Sequence, residues 1–473
     1  MSERIDCDIC VIGAGSGGLS VAAGASQLGV ATVLIERAHM GGDCLNFGCV
    51  PSKALLAAGK AAANARHATR FGIEAAPAVN FRRVHDHVHG VIAAIAPNDS
   101  VARFTGLGVR VIQAHARFTG PTELQAGDAT IRARRVVVAT GSSPMVPPIP
   151  GLKEVPYFTN ETVFANIELP RHLLVVGGGP IGLELAQAHR NLGSEVTVVE
   201  MAHCLPKDDP ELVPYVTRRL EKDGVRLIEG AKVAKVGGAA GAIELTIERD
   251  GKTETLNGSH LLLAAGRRAN VDDLGLEAAG IKYSPKGIEV DARLRTTNKK
   301  VFAIGDAAGG LQFTHVAGYH AGIVIRNALF RLPAKADHRH VPWVTFTDPE
   351  LAHVGLSEAE AKEKHGRVQV VRWPYAENDR AQTEREVEGV IKLVLDGKGR
   401  VLGCDIVGPH AGELISTWVL ALNQGLKLSA IAGVIVPYPT FAEVSKRAAS
   451  SYFMPKLFSE RTRKVVSFLT KFG

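Results

Sequence analysis

Residues 7–37 read CDICVIGAGSGGLSVAAGASQLGVATVLIER, and this stretch decides the fold. An apolar run of strand length ends at Gly13, and Gly13, Gly15 and Gly18 then fall in a GxGxxG spacing. An Ala- and Leu-containing helical stretch follows, and a second apolar run closes on Glu36. The first glycine permits a tight turn and the second lets the backbone approach a pyrophosphate. The third lets helix pack on strand, while the helix N-terminus holds the anion. Residues 173–201, LLVVGGGPIGLELAQAHRNLGSEVTVVEM, repeat the plan with Gly177, Gly179, Gly182 and Glu200. The offset from first glycine to acid is the same in both copies. One such unit is an ordinary glycine turn as readily as a nucleotide site; two in register predict two Rossmann-like dinucleotide-binding domains in an α/β chain.

A chain of 473 residues is too long for one core, because cores stop growing at about 250–300 residues; about three domains are expected. The Pro/Gly-rich stretch PMVPPIPGL (144–152) reads as a linker, and the pattern changes again at His338, where apolar strands such as GVIKLVLD (389–396) and VLGCDIVG (401–408) alternate with helices. The expected divisions are 1–150, 151–270, a return segment 271–337 that completes the first domain, and an α+β domain over 338–473. Composition is that of a folded protein, 46% hydrophobic and 22% charged. The formal charge of +7 is spread along the chain without a dense basic stripe, so no nucleic-acid partner is expected. There is no apolar leader with a cleavage site and no apolar run of about 18 residues, which predicts a cytoplasmic protein without a transmembrane helix. In that compartment six cysteines are not a disulfide framework.

The stretch GGDCLNFGCVPSKALL (41–56) carries the chemistry. Four residues separate Cys44 from Cys49, a spacing that puts the two sulfurs on different faces of a regular helix. Bridging them needs Cα atoms about 4.4–6.8 Å apart, so an irregular backbone is expected, supplied by Gly48 and Pro51. Proline suits a first helical turn, which predicts Cys49 at a helix N-terminus, where a thiolate is stabilised. Two buried structural cysteines would not explain the Gly, Pro and Lys53 around them. Glu200 sets the nucleotide expectation. A carboxylate there accepts the free 2′-hydroxyl of NADH and repels the 2′-phosphate of NADPH, and only His203 and Lys207 are basic nearby.

This stretch resembles the redox-disulfide motif of the class I pyridine nucleotide-disulfide oxidoreductases, the family of dihydrolipoamide dehydrogenase, glutathione reductase and mercuric reductase. The resemblance runs from Asp8 to about Met454. It implies an FAD domain interrupted by an NAD domain, then a C-terminal dimerisation domain, in a homodimer. It also implies a Cys44–Cys49 redox disulfide, with Cys49 facing the flavin in a charge-transfer complex and Cys44 meeting the substrate. Lys53 would lie beside the flavin and pair with Glu184. ATGS (139–142), with Gly141, resembles the turn where the chain leaves the FAD domain, and AAGRR (264–268) resembles the NAD-domain exit, with Gly266 and Arg267 near the dinucleotide. VFAIGDAAGG (301–310) resembles the second FAD fingerprint, with Asp306 on the ribityl chain; Gly42 and Ala116 fall where relatives approach FAD by backbone. FTDPELAHVGLSEAEA (346–361) resembles the start of the interface domain.

Two departures bear on the acceptor. Disulfide reductases of the family carry His-Pro-Thr-x-x-Glu near the C-terminus, the His acting as acid/base and the Glu orienting it. Here the stretch is Tyr438-Pro-Thr-Phe-Ala-Glu443, and a phenol with a pKa near ~10 is a poor base at neutral pH. Mercuric reductases resemble the chain in having Tyr there, but they end in a cysteine pair, whereas this chain ends VVSFLTKFG. Pro180 stands where some relatives have a Tyr lid over the flavin.

The expected function is therefore FAD-dependent transfer of hydride equivalents from NADH to a small-molecule or protein disulfide/dithiol acceptor. The alternatives are metal-ion reduction of the mercuric-reductase type, or a redox-responsive flavoprotein that signals by partner docking. Cys7 and Cys10 form CxxC on the first strand, but no second pair completes a zinc site; they are read as core, and no metal site is expected. His85 and His89 are read as a solvated helix face. The tail 455–473 mixes apolar residues with five basic ones and is read as a surface helix docked on its own domain, membrane contact being the less favoured reading.

Overall fold

A computed structural model of the chain describes residues 3–472. Its central strand is Glu3–Ile12, whose Ile9, Cys10 and Val11 are wholly buried. A strand apolar on both faces belongs in a parallel sheet covered by helices on both sides. Among the described residues, Arg110–Gln113, Thr32–Glu36, Glu3–Ile12, Ala129–Val138 and Val301–Ala303 run parallel in that order, and Glu123–Ala126 and Ala116–Phe118 add an antiparallel edge beyond Ala129–Val138. The return strand Val301–Ala303 pairs with Ala129–Val138 in Val301↔Val136 register. It brings the VFAIGDAAGG segment back to the sheet that begins the chain.

The second glycine motif builds a four-stranded parallel sheet in the order Val225–Ile228, Glu195–Val199, His172–Val176, His260–Leu263. The two turns are superimposable in their local bonding. Gly13 and Gly177 sit at φ +102° and +116°, a region glycine adopts freely, and their N–H groups donate to Ile35 O at 2.8 Å and Val199 O at 2.9 Å. A Cβ at Gly18 would strike the carbonyl oxygen of Gly13, and one at Gly182 that of Gly177. The third glycine of each motif is thus fixed by helix–strand packing, as its place in the pattern requires. The chain carries the two Rossmann-like parallel sheets read from the repeat.

The cysteine-bearing stretch forms two helices, Gly42–Asn46 and Cys49–Arg66, with the irregular backbone expected between the cysteines. The break falls at Phe47 and Gly48, the latter at φ −120°, ψ −113°. Helix Cys49–Arg66 packs tightly on Pro180–Leu192, where a Cβ at Gly59 would lie 3.1 Å from Ala188 O. This packing carries the redox motif against the helix of the second glycine turn.

The structure divides into two compact units, one running to Ala202 and resuming over Val225–Asp337, the other comprising His203–Gly224 and the chain from His338. Both parallel sheets lie in the first unit. The second unit has an antiparallel sheet in the order Trp343–Thr345, Glu350–Gly355, Val401–Gly408, Val390–Asp396, Val368–Pro374. Trp418 on helix Ala411–Gln424 is fully buried in its core. Within this unit Lys392 Nζ, almost wholly buried, meets Asp209 Oδ2 at 2.8 Å, Glu358 Oε2 at 2.8 Å and Glu211 Oε2 at 3.0 Å. A buried ammonium is tolerated only when so surrounded.

The tail departs from expectation. Helix Glu460–Leu469 has no buried residue, so it is not docked on its own domain. No helix among the described residues is long and apolar enough to cross a membrane.

Candidate active site

Cys49 is the first residue of helix Cys49–Arg66, and Cys44 lies in the short helix before it. Both are free thiols, and their side chains are within hydrogen-bonding reach of each other. The Cys44 thiol donates to Cys49 sulfur, and this bond is the main reason the Cys49 pKa is lowered to about 6, against the opposing cost of burial. Thr314 Oγ1, 3.4 Å from Cys49 Sγ, and the Lys53 charge lower it further. The same bond, with burial, pushes Cys44 well above the ordinary thiol range. In the reduced pair Cys49 is therefore the more acidic sulfur, and Cys44 holds its proton more tightly.

Lys53, one turn into the helix, meets Glu184 Oε2 at 2.8 Å; Glu184 is buried on helix Pro180–Leu192. On the other side of the pair Asp43 accepts from Arg267 Nη2 at 3.1 Å. Arg267 also donates through Nε to Ser142 Oγ at 2.8 Å, and Ser142 Oγ donates to Asp306 Oδ2 at 2.5 Å. Burial raises the Asp306 pKa. This chain links the exit turn at Gly141–Ser142, the second glycine-rich strand end and the cysteine helix. Sequence reasoning singled out Arg267 and Asp306 but not the chain of bonds that unites them through Ser142. It missed Ser142, Asp43 and Thr314. Ser142 lies inside the quoted ATGS stretch, but nothing local marks Thr314.

Whether the two glycine turns fit dinucleotides can be judged from their helix ends. Helices Ser16–Gln27 and Pro180–Leu192 start at Gly15 and Gly179 with no capping side chain and no acid in the first turn. Helices starting after Asn80, Ser100, Ser357 and Ser459 are each capped by that side chain. Uncapped N–H groups facing a glycine turn suit a pyrophosphate. A Cβ at Gly179 or Gly141 would meet nothing within 4 Å, which leaves room for a ligand at the backbone. Gly42, at φ +59°, packs so close to Gly15 that a Cβ would lie 2.6 Å from Gly15 Cα. The acids repeat as the glycines do. Glu36 Oε2 accepts from Ala14 N–H at 2.6 Å and Glu200 Oε2 from Gly178 N–H at 2.6 Å; their second oxygens accept from Ala38 and Ala202 N–H. Each carboxylate is thereby fixed at the end of its second strand with acceptor capacity left for ribose hydroxyls. Gly266, at φ +114°, closes the exit turn, and Ala116 lies buried on its edge strand opposite Ala126.

In the second unit Tyr438 is 68% exposed, and its hydroxyl donates to Asp379 Oδ2 at 2.8 Å. That bond raises its pKa further above the usual phenol range. Glu443 begins helix Glu443–Ser451 and lies 4.0 Å from Arg447. Asp379 is a second acid at this position that sequence reasoning missed. Cys7 and Cys10 are buried on the first strand, and His85 meets His89 with ring centroids 4.2 Å apart and the rings tilted by 40°.

The model of the family described as pyridine nucleotide-disulphide oxidoreductase matches residues 7–321, and that of its dimerisation domain matches 341–449. The chain is 35% identical to a mercuric reductase of Staphylococcus aureus over 451 residues, covering 94% of this chain and 82% of the relative. It is 36% identical to a dihydrolipoyl dehydrogenase of Thermus scotoductus over 451 residues, covering 94% and 97%. Among solved structures it is similar to the HOCl-induced flavoprotein disulfide reductase RclA of Escherichia coli, in a Cu(II) complex, with a TM-score of 0.85, 28% identity, and 94% and 99% of the two chains covered. Twin dinucleotide turns, a coupled cysteine pair between them and a family match over both units lead to one conclusion: the chain belongs to the pyridine nucleotide-disulfide oxidoreductases, FAD- and NAD(P)H-dependent enzymes with a dimerisation domain.

Proposed function

We propose that the enzyme works as a homodimer that takes electrons preferentially from NADH and delivers them through Cys44 and Cys49 to a disulfide acceptor with acidic thiol products. The observation that carries this reading is the placement of the pair, with Cys49 opening helix Cys49–Arg66 beside Thr314 Oγ1 at 3.4 Å and Cys44 in the short helix before it. In this reading segments 1–150 and 271–337 hold FAD, 151–270 holds NADH, and 338–473 supplies the dimer contact. Bound FAD and NADH supply the hydride acceptor and donor.

The residues do the rest. Gly13, Gly15, Gly18 and Glu36 hold the flavin dinucleotide, with Gly42, Ala116, Gly141 and Asp306 along it. Gly177, Gly179, Gly182, Glu200 and Gly266 hold the nicotinamide dinucleotide. Arg267, engaged with Asp43 and Ser142, holds the cysteine helix in place. Lys53, kept in position by Glu184, maintains positive charge beside Cys49. Cys44 loses its proton and attacks one acceptor sulfur, forming a mixed disulfide and releasing the first thiolate. Cys49 thiolate then attacks Cys44 sulfur, releasing the second thiolate and closing the Cys44–Cys49 disulfide. The proton from Cys44 and one from solvent balance the two products. Tyr438 stays neutral throughout and cannot store a proton, so products that are stable as thiolates are favoured. The cytoplasm, a reducing compartment, suits this cycle.

A soft metal ion is the second reading, favoured by Tyr438, since ion reduction at two sulfurs needs no stored proton. A panel of lipoamide, glutathione disulfide, an aromatic disulfide and Hg(II) tests both. Fastest turnover with the aromatic disulfide supports the first reading and fastest with Hg(II) the second; fastest with lipoamide contradicts both. NADH is expected to exceed NADPH in kcat/KM by about tenfold or more, because like charges at Glu200 and a 2′-phosphate repel. Glu200→Arg is expected to reverse the preference; equal kcat/KM for the two nucleotides in the wild type would refute this assignment.

A further inference from the structure

The C-terminal helix Glu460–Leu469 has no part in the chemistry described above, and none of its residues is buried within the single subunit. Val465, Val466, Phe468 and Leu469, with Phe472 just past the helix, are between 51% and 73% exposed. At 3.6 residues per turn these five fall on one side, with Arg461 among them at the first turn of the helix, and Arg463, Lys464 and Ser467 fall on the other, with Lys471 following in the next turn. The rings of Phe468 and Phe472 meet edge to face with centroids 5.0 Å apart, which draws the apolar side into one patch. Leu457 and Phe458, in the turn before this helix, are each 57% exposed as well. Residues 456–472 contain five basic side chains and a single acid, Glu460.

We propose that this helix lies on the surface of an anionic lipid bilayer, its apolar side sunk into the headgroup boundary and its basic side against the lipid phosphates. An amphipathic helix with aromatic and aliphatic residues on one face and Lys/Arg on the other binds in this way. The charge excess decides against a second copy of the helix as the occupant. Two such helices packed face to face would bring their basic flanks together with only Glu460 of each to offset them. The helix is also too short and too charged to span a bilayer, which leaves it in the interface plane. The enzyme would then be held at a membrane surface by its tail, independently of which acceptor it reduces.

The test is vesicle flotation of the full-length, FAD-loaded protein. Vesicles of phosphatidylcholine alone are compared with vesicles that also contain phosphatidylglycerol, at low and high salt. The wild type is expected to bind the anionic vesicles at least about tenfold more than the neutral ones, and to be released by salt. Phe468→Ser with Leu469→Ser is expected to lower binding about tenfold without changing NADH oxidation, and Arg463→Gln with Lys464→Gln to remove the preference for anionic lipid. The wild type remaining unbound on both vesicle types would overturn the proposal. So would conversion of dimer to monomer by Phe468→Ser with Leu469→Ser, seen by sedimentation velocity, because the face would then be a contact between copies.

Discussion

Cys49→Ser is expected to lower turnover with any disulfide acceptor by at least about a thousandfold, the scale of loss when a nucleophile is removed. Serine cannot form the bridge that accepts and releases the electron pair. Oxidation of NADH by a one-electron dye, which bypasses the cysteines, is expected to persist. Cys44→Ser is expected to show the same loss of disulfide turnover but a different spectrum. Its hydroxyl still donates to the Cys49 sulfur, so the thiolate survives without reductant and gives long-wavelength absorbance beside oxidised flavin. The pair also predicts a pH dependence. The Cys49 pKa is lowered to about 6, so its thiolate is present above that pH and lost as pH falls through it. Alkylation of Cys49 in the reduced protein, followed by mass spectrometry, is expected to titrate with that midpoint. Cys44→Ala removes the largest stabilising bond and is expected to move the midpoint upward. A midpoint unchanged in Cys44→Ala would show that the pair is not coupled as described.

Tyr438→His is expected to raise lipoamide turnover by about a hundredfold, the lower end of what a positioned acid/base contributes. The wild-type phenol donates to Asp379, which holds its pKa above the usual value and its charge at zero over the physiological range. An imidazole, with a reference pKa near ~6.5, can take the proton from an incoming dithiol or return it to a leaving thiolate. Two acids are available to orient it, Glu443 at the start of its helix and Asp379 where the phenol now bonds. The variant is expected to gain a pH limb near that reference value. Tyr438→Phe is expected to leave dye-linked NADH oxidation intact. Lipoamide turnover by the wild type equal to that of a histidine-bearing relative assayed alongside would mean that another group carries the proton.

The features readable from sequence are those that local backbone geometry dictates. Gly13, Gly18, Gly177 and Gly182 are required where they stand because a Cβ at each would strike a carbonyl oxygen, and such positions leave their mark in a linear pattern. Cys44 and Cys49 were legible because their spacing forces a helix break, found at Phe47 and Gly48. What the pattern could not show depends on chain returning from far away. Thr314 reaches Cys49 from 265 positions on, and Ser142 meets Asp306 across 164. Asp379 meets Tyr438 across 59 positions, with only Glu443 visible in the motif. The tail misled for a different reason. Its apolar residues have helical spacing whether the face they form packs on the protein or is left exposed, and only the structure distinguishes the two.

The central claim, that electrons from NADH come to rest on Cys44 and Cys49, is tested most directly by anaerobic titration of the oxidised enzyme with NADH, alkylation at each point and mass spectrometry of the 41–56 segment. One equivalent of NADH per subunit is expected to make both cysteines alkylatable while leaving Cys7, Cys10, Cys204 and Cys404, all buried, in their starting state. Bleaching of the flavin with the Cys44–Cys49 bridge still intact after excess NADH would contradict the account.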